Sequence, residues 1–408
     1  MKKILYISYD GMTDPLGQSQ VIPYLMGLSE LGYIVHILST EKPENYHKNK
    51  LKIAQLLAAK KIKWHPVFYT KKPPVLSTIF DIYKIISIAK KLHKENNFHI
   101  VHCRSYISAF AGLFLKKKYG VKFIFDMRGF YADERVDGKI WNLKNPVFYF
   151  VYHYFKKKEI TFLKQADHVV SLTKAGKKII EQWGKEKNFS TPVTVIPCCA
   201  DLDFFSPVTI NPEKQKQYKD ELKIQNHDFI ISYLGSVGTW YMLEEMLDFF
   251  KVCLHIKPEA KFLFITKDNP VEIIKAANRK NIPETNILIR SAEREEMPSL
   301  LGLSNFSLFF IKPVFSKKAS SPTKMGEILG LGIPVVCNSG VGDVDEIITE
   351  SKSGILVQDF NENSYKNTLL QLENNKFASN QLIKAAHKYY SLKEGITRYS
   401  TIYSILLK

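Results

Sequence analysis

Short apolar runs recur along the chain, separated by stretches with the spacing of amphipathic helices. Ile4–Tyr9, Ile34–Ser39, His99–Cys103 and Lys122–Asp126 read as strands; Gln20–Leu31, Leu51–Lys60 and Phe110–Lys118 read as helices between them. This alternation predicts a doubly wound parallel sheet, because parallel strands need a crossover long enough to hold a helix. Ala166–Thr173 adds a strand ending in a Ser/Thr cap, and Val193–Pro197 adds another before the turn at Cys198-Cys199-Ala200. The polar stretch Ser206–His227 has the composition of a linker. Phe229–Leu234 then restarts the pattern, and Lys261–Thr266, Asn286–Ile289, Phe306–Ile311, Pro334–Asn338 and Gly354–Val357 continue it. Two α/β domains are predicted, 1–205 and 206–385.

A length of 408 residues agrees with two cores rather than one. No apolar run reaches the roughly 18 residues of a membrane span, and Met1–Tyr9 reads as a first strand rather than a leader, so a cytoplasmic protein is expected. Cys103, Cys198, Cys199, Cys253 and Cys337 lack metal-ligand spacing and are expected to be reduced and structural. The net charge of +18 is uneven: residues 1–205 carry 33 Lys and Arg against 17 Asp and Glu, the remainder 25 against 23. No nucleic-acid-binding motif accompanies the basic half, so an anionic membrane surface is the better partner. Lys116–Lys118 and Lys156–Lys158 beside the aromatic run Phe148–Phe155 form the candidate surface. A core helix and simple surface solvation are the alternatives. Only seven of the 58 basic residues are Arg, yet Arg104, Arg128 and Arg135 fall close together. The planar guanidinium fork suits phosphates and carboxylates, and an ion pair within the domain is the other reading.

The segment Ser320–Val336 reads as a polar loop, a short helix and a buried strand. Ser321, Pro322 and Thr323 would open the helix and leave backbone N–H groups facing a phosphate. Lys324 would add a mobile positive charge, and Glu327, one turn on, would accept hydroxyl hydrogen bonds. A plain helix cap is the bland alternative. This run resembles family 4 glycosyltransferases, where a Glu-x7-Glu motif precedes a Gly-x-Pro-Val-Val strand. Glu327 matches the second Glu, which holds the ribose; the first falls on Ala319, a departure at the group that usually touches the donor sugar. Val193–Phe205 matches the segment that closes the family's first domain. The resemblance spans the chain from Asp10 onward and implies a GT-B fold, two Rossmann-like domains around a cleft, with a final helix at about 386–408 returning to the first domain.

Further residues follow from it. In the loop Asp10–Gln20 the resemblance implies that Gly17 approaches the donor, although a strand-to-helix glycine is also structural. Asp126 and Arg128 stand where many relatives place a sugar-binding His, and together with Lys324 they are the catalytic candidates; His102 is read as packed. Arg104, Asp133 and Arg135 are assigned to the acceptor side. Gly235, Ser236, Gly238 and Thr239 form the second domain's phosphate loop without the family's usual cations. Arg290 and Ser291 lie at the base-reading loop, where Arg290 stacks on the base or caps the next helix.

The implied activity is retaining, metal-independent transfer, without a cofactor, from a nucleotide-diphosphate sugar, with a UDP-sugar as the expected donor. The implied acceptor is a lipid-linked glycan or polysaccharide of the bacterial surface, with the protein peripheral at the inner face of the cytoplasmic membrane. The alternatives are an inactive nucleotide-sugar-binding subunit and a soluble transferase with a small-molecule acceptor. A glycosidase, which needs two carboxylates about one bond, ranks below these because Asp133 and Glu134 are sequence neighbours.

Overall fold

A computed structural model describes residues 2–408. The chain divides into two compact units, one running to Cys198 and resuming at Leu392–Lys408, the other Cys199–Ser391. The first contains a seven-stranded parallel sheet: β1 (Lys3–Ser8), β2 (Ile34–Glu41), β3 (Lys63–Phe68), β4 (Ile100–Arg104), β5 (Lys122–Asp126), β6 (His168–Ser171) and β7 (Val193–Val195). They lie in the order β3-β2-β1-β4-β5-β6-β7. The second contains β8 (Phe229–Leu234), β9 (Ala260–Ile265), β10 (Ile287–Arg290), β11 (Phe306–Phe309), β12 (Val335–Asn338) and β13 (Gly354–Val357), ordered β10-β9-β8-β11-β12-β13. Their central strands are apolar without alternation because helices cover both faces.

In each sheet the order reverses beside its first strand, between β1 and β4 and between β8 and β11. Loops leaving the carboxyl ends of such strands diverge, and the crevice between them is where doubly wound sheets take their ligands. The loop after β1 contains Asp10, β4 ends at Arg104, and the loop after β8 contains Gly235 and Gly238.

Three sequence-based boundaries differ from the structure. The domain break falls at Cys198 rather than at 205, because Ala200, Leu202 and Phe205 belong to the apolar core of the second unit. The supposed linker is packed rather than free. Asn211 caps the helix Pro212–Leu222 by accepting from the Glu213 and Lys214 N–H groups, and that helix buries Tyr218. Its polar composition conceals this, since so few of its positions face inward.

The returning segment begins at Leu392, not 386, as Ala386 and Tyr390 remain in the second unit's core. Its helix, Leu392–Leu406, sets Ile396 against Gly27, where any side chain on Gly27 would collide. Tyr33 Oη donates to the Ser400 carbonyl at 3.2 Å. No disulfide links the five buried cysteines, and among the described residues no helix is long and apolar enough to cross a membrane.

Candidate active site

In the second unit the loop after β8 turns through Gly235 (φ +118°), Gly238 (φ +81°) and Thr239 (φ +51°). Glycine suits the first two because side chains resist that half of the backbone map. Asp268 fixes the loop by accepting the Val237 N–H at 2.6 Å, and Tyr233 Oη donates to the Ser236 carbonyl. The helix Thr323–Gly330 starts beneath, with Pro322 at its N-cap and Ser321 just before it. Ala319 ends the preceding 3-10 turn, Phe315–Ala319, and is buried.

Lys324 is buried rather than mobile, which corrects the sequence-based expectation. Its Nζ lies 3.7 Å from the Tyr241 ring centroid and 4.3 Å from that of Tyr233, with no hydrogen-bond acceptor. A Cβ on Gly235 would sit 3.1 Å from that nitrogen, so the glycine admits the lysine to the loop. Burial brings the ammonium down to about 7 against the pull of Glu327. Glu327 is only partly covered, and no donor among the described residues hydrogen-bonds it. Burial raises its carboxyl above the ordinary range, opposed by Arg294 and then Lys324. This pair of opposite charges beneath a glycine loop is a ready receptor for a group with both phosphate oxygens and hydroxyls.

Arg290 neither caps a helix nor lies open for a base. Its Nε bonds Glu221 at 3.1 Å, its Nη2 bonds Glu296 at 2.9 Å, and its guanidinium covers the Tyr218 ring at 4.3 Å. The helix Pro212–Leu222 supplies Glu221 and Tyr218, so reading that stretch as a linker hid the Arg290 partners. Ser291 is exposed beside it. Arg294, four residues on, rests 5.1 Å from the Phe204 ring centroid and holds its charge near Glu327.

In the first unit, Gly17 is packed rather than open to a ligand. A Cβ there would collide with the Gly11 carbonyl, because the short helix Pro15–Gln20 folds back on its own loop. The loop is anchored by buried Glu41, which accepts from the Met12 and Thr13 N–H groups at 2.8 and 3.1 Å. Arg104 Nε donates to Asp10 at 3.0 Å. Asp126 is fully enclosed: Tyr399 Oη donates to it at 2.9 Å, His102 Nε2 lies at 3.5 Å and an Arg128 nitrogen at 3.8 Å. Burial would raise its carboxyl, but Arg128, then His102 and Arg104, hold it below the usual range. Asp126 therefore positions Arg128 rather than meeting substrate.

Arg128 adopts a left-handed backbone (φ +59°) before Gly129 and places Nη2 3.1 Å from Cys198 Sγ. His102 is packed, hydrogen-bonded through Nδ1 to Tyr403 Oη at 2.7 Å. Asp133 is not open for an acceptor. It takes hydrogen bonds from Tyr152 Oη at 2.9 Å and Lys156 Nζ at 2.7 Å, as part of a buried network with Glu159 and Tyr106. Arg135 covers the Tyr131 ring at 4.9 Å.

The Glycosyltransferase Family 4 model matches residues 21–204, and the model of Glycosyl transferases group 1 matches residues 214–389. Together they account for most of both units. The chain is a family 4 glycosyltransferase. Its fold is GT-B, as solved structures agree. Sucrose-phosphate synthase from Thermosynechococcus elongatus shares 13% identity at a TM-score of 0.75, covering 100% of this chain and 99% of its own. A glycosyltransferase from Rickettsia africae shares 16% at 0.71, covering 100% and 99%. Anabaena HepE, solved with UDP and glucose, shares 11% at 0.68, covering 99% and 100%. Comparison of the sequence with curated proteins gives no match.

Several residues that shape this glycosyltransferase's two sites escaped sequence reasoning. Glu41, Tyr399 and Asp268 act on loops distant in sequence, and nothing local marks them. Arg294 could have been found, since arginine is scarce here and each one invites the same question.

Proposed function

We propose that this glycosyltransferase moves a sugar from a UDP-sugar to a lipid-linked or polysaccharide acceptor in bacterial surface glycan assembly, with retention of configuration and without a metal ion. The carrying observation is Lys324, a buried cation under the Gly235 loop, one helical turn from the partly covered carboxylate of Glu327. In this reading Glu327 accepts the ribose hydroxyls, while Lys324 and the N–H groups opening its helix face the diphosphate. Gly238 and Thr239 complete the phosphate side.

Negative charge grows on the diphosphate as the glycosidic bond breaks, so a cation already fixed there favours the transition state over the ground state. Lys324 supplies the positive charge that the family's usual arginine and lysine would, and a metal ion has no required part. Arg128, held by Asp126 and Cys198, remains the catalytic candidate of the first unit, and Arg104 is assigned to its acceptor side. HepE, solved with UDP-glucose, supports the choice of nucleotide. A UDP-sugar screen tests the reading: slow donor hydrolysis that survives EDTA and is lost in Glu327→Ala supports it, and no hydrolysis of any UDP-sugar contradicts it.

A further inference from the structure

The helix Leu76–Asn96 leaves four large apolar side chains in solvent: Leu76, Ile79, Phe80 and Tyr83, respectively 63%, 44%, 58% and 70% exposed. Their spacing of three, four and seven is that of one helical stripe. Scattered exposed apolar residues need no explanation, but a continuous stripe of this size does. A second stripe, Val147, Phe150 and Tyr154, lies on the helix Pro146–Gln165 and is 55%, 70% and 49% exposed.

Both helices pack against the helix Ser105–Tyr119, which lies between the two stripes, and Tyr154 stacks on its Phe110 with ring centroids 6.2 Å apart. Basic residues surround them. Lys71 and Lys72 are exposed in the loop before the first stripe, and Lys158 Nζ lies 5.4 Å from the Tyr154 centroid. Within residues 69–94 the single acid is Asp81, buried and paired with Lys84, and residues 139–158 contain none. The candidate lysines Lys116 and Lys156 do not contribute freely, being paired with Asp167 and with Asp133 and Glu159.

We propose that this face of the first unit docks on an anionic lipid bilayer, the aromatic stripes entering the headgroup region and the lysines meeting lipid phosphates. Aromatic and aliphatic side chains ringed by lysine are the composition of an interfacial anchor. A second copy of this chain would set like charges against each other, which disfavours it as the occupant. The proposal deepens the reading of a lipid-linked acceptor, since docking would bring the enzyme to the surface that holds it.

The test floats the full chain on vesicles of equal parts phosphatidylglycerol and phosphatidylcholine, and on phosphatidylcholine alone. Strong binding to the anionic vesicles and roughly tenfold weaker binding to neutral ones is expected. Phe80→Ser with Phe150→Ser, and separately Lys71→Gln with Lys72→Gln and Lys158→Gln, should each weaken anionic binding by about tenfold or more. Leu51→Ser, elsewhere on the surface, should leave it unchanged. Absence of wild-type binding, equal binding to both vesicle types, or normal binding by the Ser variant overturns docking here. So does a Ser variant that changes only the oligomeric state, which would assign the face to a second copy. UDP-sugar hydrolysis, read in the same samples, separates the two ideas: flotation without hydrolysis would overturn the donor reading and leave docking standing.

Discussion

The ammonium of Lys324 lies 3.7 Å from the centre of the Tyr241 ring, in a cage where no oxygen accepts from it. Cation–π contact is the main compensation for its lost hydration, and it is partial. This explains why burial brings the group down to about 7. An arriving diphosphate would supply the missing anion and favour the charged form. UDP affinity should therefore fall as pH rises through about 7, with proton uptake on binding. Calorimetry in buffers of different ionisation enthalpy measures that uptake, and Lys324→Met should abolish it.

The same group leaves a signature on stability. A lysine whose pKa is lower folded than unfolded binds fewer protons in the native state between about 7 and 10.5, so unfolding free energy rises with pH across that window. Lys324→Met lacks this term. Its melting temperature should exceed that of the parent most at neutral pH and below, by up to a few kcal/mol in stability, and the gap should close toward pH 10. A gap constant with pH would mean that Lys324 stays charged in the folded protein.

Arg128 reaches Cys198 and approaches Asp126 from a left-handed backbone, a geometry set by a planar fork. Arg128→Lys should be nearly as inactive as Arg128→Ala, because one ammonium cannot face several partners at once. Circular dichroism and melting would show that both variants fold. Full activity in the lysine variant would reduce the site to generic charge.

The network Tyr106–Glu159–Lys156–Asp133 is structural and should report in stability. Glu159→Ala leaves Tyr106 without its acceptor and removes one partner of Lys156, costing ~3–5 kcal/mol, as breaking a buried pair does. Urea denaturation would show this as a lower midpoint with an unchanged slope. A shift below ~1 kcal/mol would mean that water reaches the pair.

The two sheets were legible because buried parallel strands are nearly unbroken apolar runs, as at Phe229–Leu234 and Lys122–Asp126. The helix holding Lys324 and Glu327 was legible because its capping signals, polar face and following strand are contiguous. What failed depended on distance. Arg290 looked open in sequence because its partners Glu221 and Tyr218 lie on a helix whose polar composition imitates a linker. Asp133 looked like an acceptor residue because Lys156 and Tyr152 meet it only after the chain has folded back. Gly17 looked like a ligand-facing glycine, and the Gly11 carbonyl that demands it is visible only in three dimensions.

Titration of UDP into the wild type, Glu327→Ala and Lys324→Ala shows whether Lys324 and Glu327 together receive a nucleoside diphosphate. The wild type should bind UDP measurably. Glu327→Ala should weaken it by ~1.5–3 kcal/mol, the worth of hydrogen bonds to a charged group, and Lys324→Ala should weaken it comparably, both variants remaining folded. Unchanged UDP affinity in either folded variant would contradict that joint role.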